Sequence, residues 1–389
     1  MKRARFLGTA AALSAAAAAP ARSLAQLPVN SVRAGRKALV LSGGGNRGAY
    51  EAGAIVALAD KAGLRDGQPL DYDLVCGTSI GALNSYLIAT ARYSQLRTIW
   101  SIIPQLNVTR LKPPYNKIKE PSAGVLSRLW AALDLGLSLT KDEKGVLDPS
   151  GVNQVLTDIV QPSDSVHIPL YVATTNLTRM RGEIFVRRAT TPAGMAKQAV
   201  NDRITGGYRL SVVRTATDDI VRNMLFASAA IPIAFEPVLL PSIDDRGVND
   251  AFVDGGVTEN VPVDLARLCA HDIDVMLVDP PNPHPEVMVR NAAEVAGIVF
   301  QTMQRRILEY QVQLAFAESF AMANAGSNAI VDDIALNVRV IRPDRDNPGQ
   351  FADFSNAEAI REMYDRGYAD VQAKGWSEFH MPSLHEVLH

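Results

Sequence analysis

Apolar positions in this chain fall into two alternating rhythms. The run at 37–42, Lys-Ala-Leu-Val-Leu-Ser, is continuous enough for a strand buried on both faces, and from 49 to 62 the apolar residues return at helical spacing. Between them lies a turn of Gly43, Gly44, Gly45, Asn46, Arg47 and Gly48. The same order recurs at 71–92. There the apolar run 73–76 meets Gly77-Thr78-Ser79-Ile80-Gly81, and a second helix-like run follows at 82–89. Two consecutive strand-turn-helix units predict an α/β fold: a mostly parallel central sheet with helices on both faces, joined by right-handed crossovers.

Further strands are predicted at 168–174, 184–186, 251–254, 275–278 and 338–341, and helices at 218–230, 288–324 and 357–374. Residues 104–150 break the rhythm with Pro104, Pro113, Pro114 and a charged stretch at 141–145. They read as an insertion holding a short helix near 123–138. No linker divides 37–389, so 270–389 is expected to complete the same α/β domain, with a C-terminal helical extension.

The chain has 389 residues, 47% of them hydrophobic and 21% charged, which excludes disordered and fibrous classes. Its start is different in kind. Lys2, Arg3 and Arg5 precede an alanine-rich stretch to residue 19, and Ser23-Leu24-Ala25 supplies small residues at a cleavage site before Gln26. Residues 1–25 read as a signal peptide and 26–36 as a linker, so the mature protein is expected to be exported, periplasmic or secreted. The apolar stretch is shorter than the ~20 residues of a membrane-spanning helix. Removing 1–25 takes four basic residues and no acidic one, moving the formal charge from −2 to −6. An acidic protein without a basic tract excludes nucleic acid as a partner. The two cysteines, Cys76 and Cys269, sit in apolar surroundings and are expected as free buried thiols. The six histidines show no metal-ligand spacing, so no metal is expected.

Ser79 stands where strand gives way to helix, flanked by Gly77 and Gly81. A sharp strand-turn-helix brings backbone against backbone and forces the central residue into strained dihedrals, exposing a serine Oγ at a helix N-terminus. The bland alternative is a tight turn capped by the serine. The turn at 43–48 fits a dinucleotide fingerprint as well as an oxyanion hole, but no acidic residue ends a strand about 20 residues on. Arg47 reads equally as a charge for a substrate phosphate or as a loop ion pair. Asp254 ends a predicted strand before Gly255 and Gly256, at what a parallel sheet would make its carboxyl edge, where it could meet Ser79; alone, Asp-Gly is an ordinary turn.

In this order GGGNRG, GTSIG and DGG, with 227–232 (Ala-Ser-Ala-Ala-Ile-Pro) and Asn260-Val261-Pro262, resemble the patatin-like phospholipase family over about 37–269. The resemblance implies a catalytic domain over that range and a serine hydrolase acting on carboxylic esters of lipids. It implies a Ser-Asp dyad with Ser79 as nucleophile and Asp254 as proton acceptor, and an oxyanion hole formed by Gly43, Gly44, Gly45, Asn46, Arg47 and Gly48. Gly77 and Gly81 would form the elbow and Gly255 and Gly256 the DGG turn, with no histidine, cofactor or metal. The partner would be a lipid or acyl ester, with transient contact at a membrane surface. An aspartate of ordinary pKa is a weak base for a hydroxyl, so burial is expected to raise that of Asp254.

Two other readings compete. One is a Ser-His-Asp hydrolase using His271 or His284, and the other is a catalytically silent envelope protein that binds lipid. Trp130 with Leu126, Leu129 and Leu133 suggests a lid or acyl-chain contact, whereas Arg290, Arg305, Arg306 and Glu309 mark 288–324 as packing rather than lipid-facing helix.

Overall fold

Strand β1 (Lys37–Leu41) pairs in parallel with β2 (Leu74–Thr78) on one side and β8 (Asp272–Met276) on the other. The computed structural model describes residues 33–110, 112, 145, 147–207, 213–242, 247–281, 301–307, 309–311, 336–348 and 353–378. The predicted signal peptide, the helix near 123–138 with Trp130, His284 and most of 288–324 lie outside the described residues.

The sheet runs β10-β9-β8-β1-β2-β3-β4-β5, with β7 on β3 and β6 on β7. Its centre is parallel, from β9 (Asn337–Ile341) through β8, β1 and β2 to β3 (Leu170–Asn176). Beyond β3 the direction changes. β4 (Arg181–Arg187) and β7 (Asn249–Asp254) both run antiparallel to β3, β5 (Val213–Thr215) is parallel to β4, and β6 (Val238–Pro241) is antiparallel to β7. The two-residue β10 (Ser377–Glu378) closes the far edge antiparallel to β9.

Successive side chains of a strand point to opposite faces, and β1 divides its residues accordingly. Leu39 and Leu41 enter a core with α1 (Gly48–Lys61), α2 (Ile80–Ala89) and α8 (Ala357–Ala373). Ala38 and Val40 face the opposite core, with α5 (Pro192–Gly207) and α7 (Val263–Cys269). Every residue of α2 is buried; its sequence is largely apolar, and the side chains of its polar pair, Asn84 and Ser85, donate to Gly48 O and Cys76 O. The remaining helices, α3 (Tyr93–Ile102), α4 (Ser150–Ile159) and α6 (Val221–Ala229), pack at the edge of the first core. Both cysteines are buried and unbridged.

Helix α8 presses backbone-to-backbone on α1. A Cβ at Gly53 would lie 1.9 Å from Tyr364 O, and one at Gly367 would lie 1.9 Å from Tyr50 O, so only glycine at both positions permits this approach. Tyr50 Oη donates to Asp370 Oδ2 at 2.9 Å, fixing the register of the crossing. The C-terminal part of the chain therefore supplies a central strand, β8, and the helix behind the glycine-rich turn.

Candidate active site

The junction of β2 and α2 forms a sharp elbow. Ser79 sits there with φ 54° and ψ −127°, a left-handed conformation that costs a non-glycine residue about 1–3 kcal/mol. The flanking glycines make it sterically feasible: a Cβ at Gly77 would lie 2.6 Å from Gly81 O, and one at Gly81 would lie 2.5 Å from Ser42 O. Ser228 on α6 secures the strained residue. Its Oγ accepts the Ser79 N–H at 2.9 Å and donates to Ala173 O at 2.7 Å.

Asp254 reaches Ser79 by a route the sequence reading did not anticipate. Its pattern predicts the carboxyl edge of a parallel strand, but β7 runs antiparallel to β3. Ala173 of β3 pairs with Thr78, the last residue of β2, and the next residue, Thr174, pairs with Asp254, the last residue of β7. β2 and β7 therefore lie end to end along one edge of β3, their C-termini facing each other. Ser79 Oγ donates to Asp254 Oδ2 at 2.6 Å across the junction.

The carboxylate of Asp254 is fully buried, and its other oxygen, Oδ1, accepts the Gly256 N–H at 2.7 Å. Burial pushes its pKa up to about 6, while the bonds from Ser79 and Gly256 pull the other way. The strand end itself is fastened: Asp254 N–H donates to Ala230 O at 2.9 Å, and Thr175 Oγ1 donates to Asp254 O at 2.9 Å. Gly255 packs against Ala173 O and Thr78.

In the turn at 43–48 several amides are already engaged. Gly43 N–H donates to Asn260 O at 3.0 Å, Arg47 N–H donates to Gly44 O at 3.2 Å, and Gly48 N–H is shared between Asn46 O and Gly45 O. Gly44 and Gly45 open this helical turn, where N–H groups have no acceptor within the helix. Gly45 borders the same cavity as Ser79. The side chain of Asn46 donates to Asp353 O at 3.1 Å. Of the two readings for Arg47, the ion pair is the one formed, with Nη1 2.6 Å from Asp279 Oδ1.

A cavity opens at Ser79 with an almost wholly apolar wall. Ile80, Leu83, Val155, Phe235 and Phe354 contribute to it, together with Val108 and Leu147 from the two ends of the predicted insertion. Under the turn, Glu51 is fully buried, takes bonds from Ser42 Oγ at 3.4 Å and Asn84 Nδ2 at 3.1 Å, and has its pKa raised to about 8 by desolvation. His271 is not near Ser79. It precedes β8, with its N–H on Arg36 O, at the edge of the sheet where β1 begins, whereas Ser79 follows the end of β2. That placement removes His271 from a triad, since it lies beyond hydrogen-bond reach of the serine. In the sequence Ser228 is marked only by the 227–232 resemblance, and Asp279 carries no local signal.

Residues 39–267 match the family model described as "Patatin-like phospholipase". The chain is 26% identical over 231 residues to patatin-like phospholipase domain-containing protein 7 of Mus musculus, and 25% identical to the same protein of Rattus norvegicus. Each match covers 59% of this chain and 12% of the relative, so the chain spans only a small part of the length of these curated relatives. Among solved structures it is similar to VipD from Legionella pneumophila, at 15% identity and a TM-score of 0.30, covering 89% of this chain and 68% of that one. It is also similar to the ExoU–SpcU complex from the type III secretion system of Pseudomonas aeruginosa, at 13% identity and a TM-score of 0.20, covering 78% and 57%. The family match spans both sides of the β2–β3–β7 junction, from the glycine turn to the helix beyond Asp254: this chain belongs to the patatin-like phospholipase family.

Proposed function

We propose that this chain is a serine acyl hydrolase that cleaves carboxylic esters of lipids through a Ser79–Asp254 dyad. The observation that carries the reading is the 2.6 Å bond from Ser79 Oγ to the buried Asp254 carboxylate, made at a strained elbow beside an apolar cavity. As Oγ attacks the acyl carbonyl carbon, Asp254 Oδ2 takes its proton. The carbonyl oxygen becomes an oxyanion facing the amides of Gly44 and Gly45. When the intermediate collapses, Asp254 returns the proton to the departing alcohol, leaving the acyl group on Ser79. Water then attacks the acyl-enzyme, Asp254 again accepting a proton; as the Oγ–acyl bond breaks, Asp254 returns that proton to Ser79 Oγ and the fatty acid leaves.

The raised pKa of Asp254 supports this role. A carboxylate titrating near 6 is a better base than one near 4, yet it stays ionised at neutral pH. The apolar wall supports an acyl chain as the group held beside Ser79, because such a wall gains from desolvating hydrocarbon and offers nothing to a polar substituent. The basic, alanine-rich N-terminal stretch supports export, with the lipid met outside the cytoplasm.

Hydrolysis of p-nitrophenyl acyl esters by the parent and by Ser79→Ala tests the reading. A loss of at least ~10⁴-fold is expected, together with loss of labelling by a fluorophosphonate probe. Undiminished hydrolysis in the Ser79→Ala protein would overturn it, and a parent protein that neither hydrolyses nor labels would favour the lipid-binding alternative.

A further inference from the structure

We propose that Asp279 is a positioning residue of the hydrolase site: its ion pair with Arg47 sets the orientation of the turn that presents the Gly44 and Gly45 amides. The inference rests on the hydrolase reading above. Asp279 lies outside the family-matched residues 39–267.

Arg47 ends the helical turn 45–47, and its own N–H closes on Gly44 O at 3.2 Å, so its backbone is part of the turn it would orient. Its guanidinium is held from more than one side: Nη1 lies 2.6 Å from Asp279 Oδ1, and Nη2 donates to Gln301 Oε1 at 3.3 Å. A guanidinium whose nitrogens meet different partners fixes direction as well as distance. With side-chain exposures of 17% for Arg47 and 33% for Asp279, the pair is shielded enough to outlast solvent screening.

Asp279 is itself held firmly. β8 leaves the sheet beside β1, where Ser42 N–H donates to Met276 O at 3.2 Å, and Leu277 N–H donates to Ile341 O at 2.9 Å. Val278 fills the space beside Gly44, where a Cβ would lie 2.4 Å from its Cγ2. Asn347 Nδ2 donates to Val278 O at 2.7 Å, and Arg342 donates to Asp279 O through Nε at 3.1 Å and Nη2 at 2.9 Å. The glycine turn is therefore set from two sides, by van der Waals contact at Gly44 and by charge at Arg47. Both contacts come from one rigid extension of β8. An oxyanion donor works only if it is in place before the charge develops, and misplacement by about 1 Å costs on the order of 10²-fold.

The test is steady-state hydrolysis of p-nitrophenyl butyrate by the full chain and its variants, alongside inhibition by a trifluoromethyl ketone, whose serine adduct carries an oxyanion. Asp279→Asn is expected to lower kcat by ~30- to 100-fold with KM within about threefold, and to weaken the ketone in proportion to kcat. Asp279→Glu should recover part of the loss. Arg47→Gln should lose a similar amount, and the double variant Arg47→Gln/Asp279→Asn no more than the worse single one. If Asp279→Asn does not fold, Arg47→Gln with the same two readouts decides the matter. Unchanged kcat and ketone affinity would overturn the inference. So would a rise in KM alone, or a loss that disappears when rates are normalised to folded protein. Ser79→Ala separates the two levels. If it is inactive while Asp279→Asn is fully active, only this inference falls; if it is active, the hydrolase reading falls with it.

Discussion

Two regions of one sheet each bury an aspartate and surround it with different partners. On β8, Asp274 is met by both nitrogens of an Arg339 fork, at 2.7 Å each, and by Tyr72 Oη at 2.7 Å. Arg339 in turn stacks over Trp376 at 5.6 Å. At the β2–β7 junction, Asp254 accepts from a serine hydroxyl and a backbone amide, and among the described residues no cation shares in setting its pKa. Burial raises both acids, but at Asp274 the guanidinium and the phenol oppose it, whereas at Asp254 only weaker neutral donors do. The difference separates a carboxylate locked to a cation from one whose partner is a hydroxyl that can give it a proton.

The sharpest way to break this contrast is Asp254→Asn. Removing the base while keeping the shape should cost about 10³-fold in kcat on a p-nitrophenyl ester. Stability should move the other way. The folded pKa of about 6 lies above the ordinary ~3.9 of an unfolded aspartate, so this group favours the fold at low pH, and that contribution is lost as pH rises through 6. At pH 8 the asparagine variant should therefore resist urea better than the parent, by at most about 3 kcal/mol; a clear loss of stability would refute the account of Asp254 as a strained acid.

Asp274→Asn is expected to behave inversely. It strands Arg339, at a cost of about 2 kcal/mol, less than the ~3–5 of a fully buried pair because the arginine side chain is 34% exposed. Activity per folded molecule should stay at the parental level, and reduced turnover in well-folded protein would blur the distinction between the two regions. The mildest test is the pH profile of kcat/KM. Its acid limb should have a midpoint near 6, set by ionisation of Asp254, and Asp274→Asn should leave that midpoint unmoved.

Much of this was legible in local sequence because the signals are local. The strands at β1 and β2, the turn between β1 and α1 and the elbow at Ser79 each depend on residues within a few positions of one another. Helix α5, with the sequence PAGMAKQAVNDRITGG, went unread because its apolar period is weak, and tertiary packing decides its conformation. Edge strand β6 was missed for a similar reason, since four residues ending in proline carry little pattern.

The sequence by itself determined the βα rhythm, the strained serine between two glycines and an aspartate before a Gly-Gly turn, because sterics and hydrophobic periodicity act over short spans of chain. It left open how Asp254 would arrive. Only the tertiary structure decided that β2 and β7 abut on β3, that Gly53 and Gly367 let α8 lie on α1, and that Asp279 takes the guanidinium of Arg47. These are contacts between segments far apart in sequence. They are fixed by which strand edges remain unpaired and which buried charges need a partner, and neither can be read from residues close together in the chain.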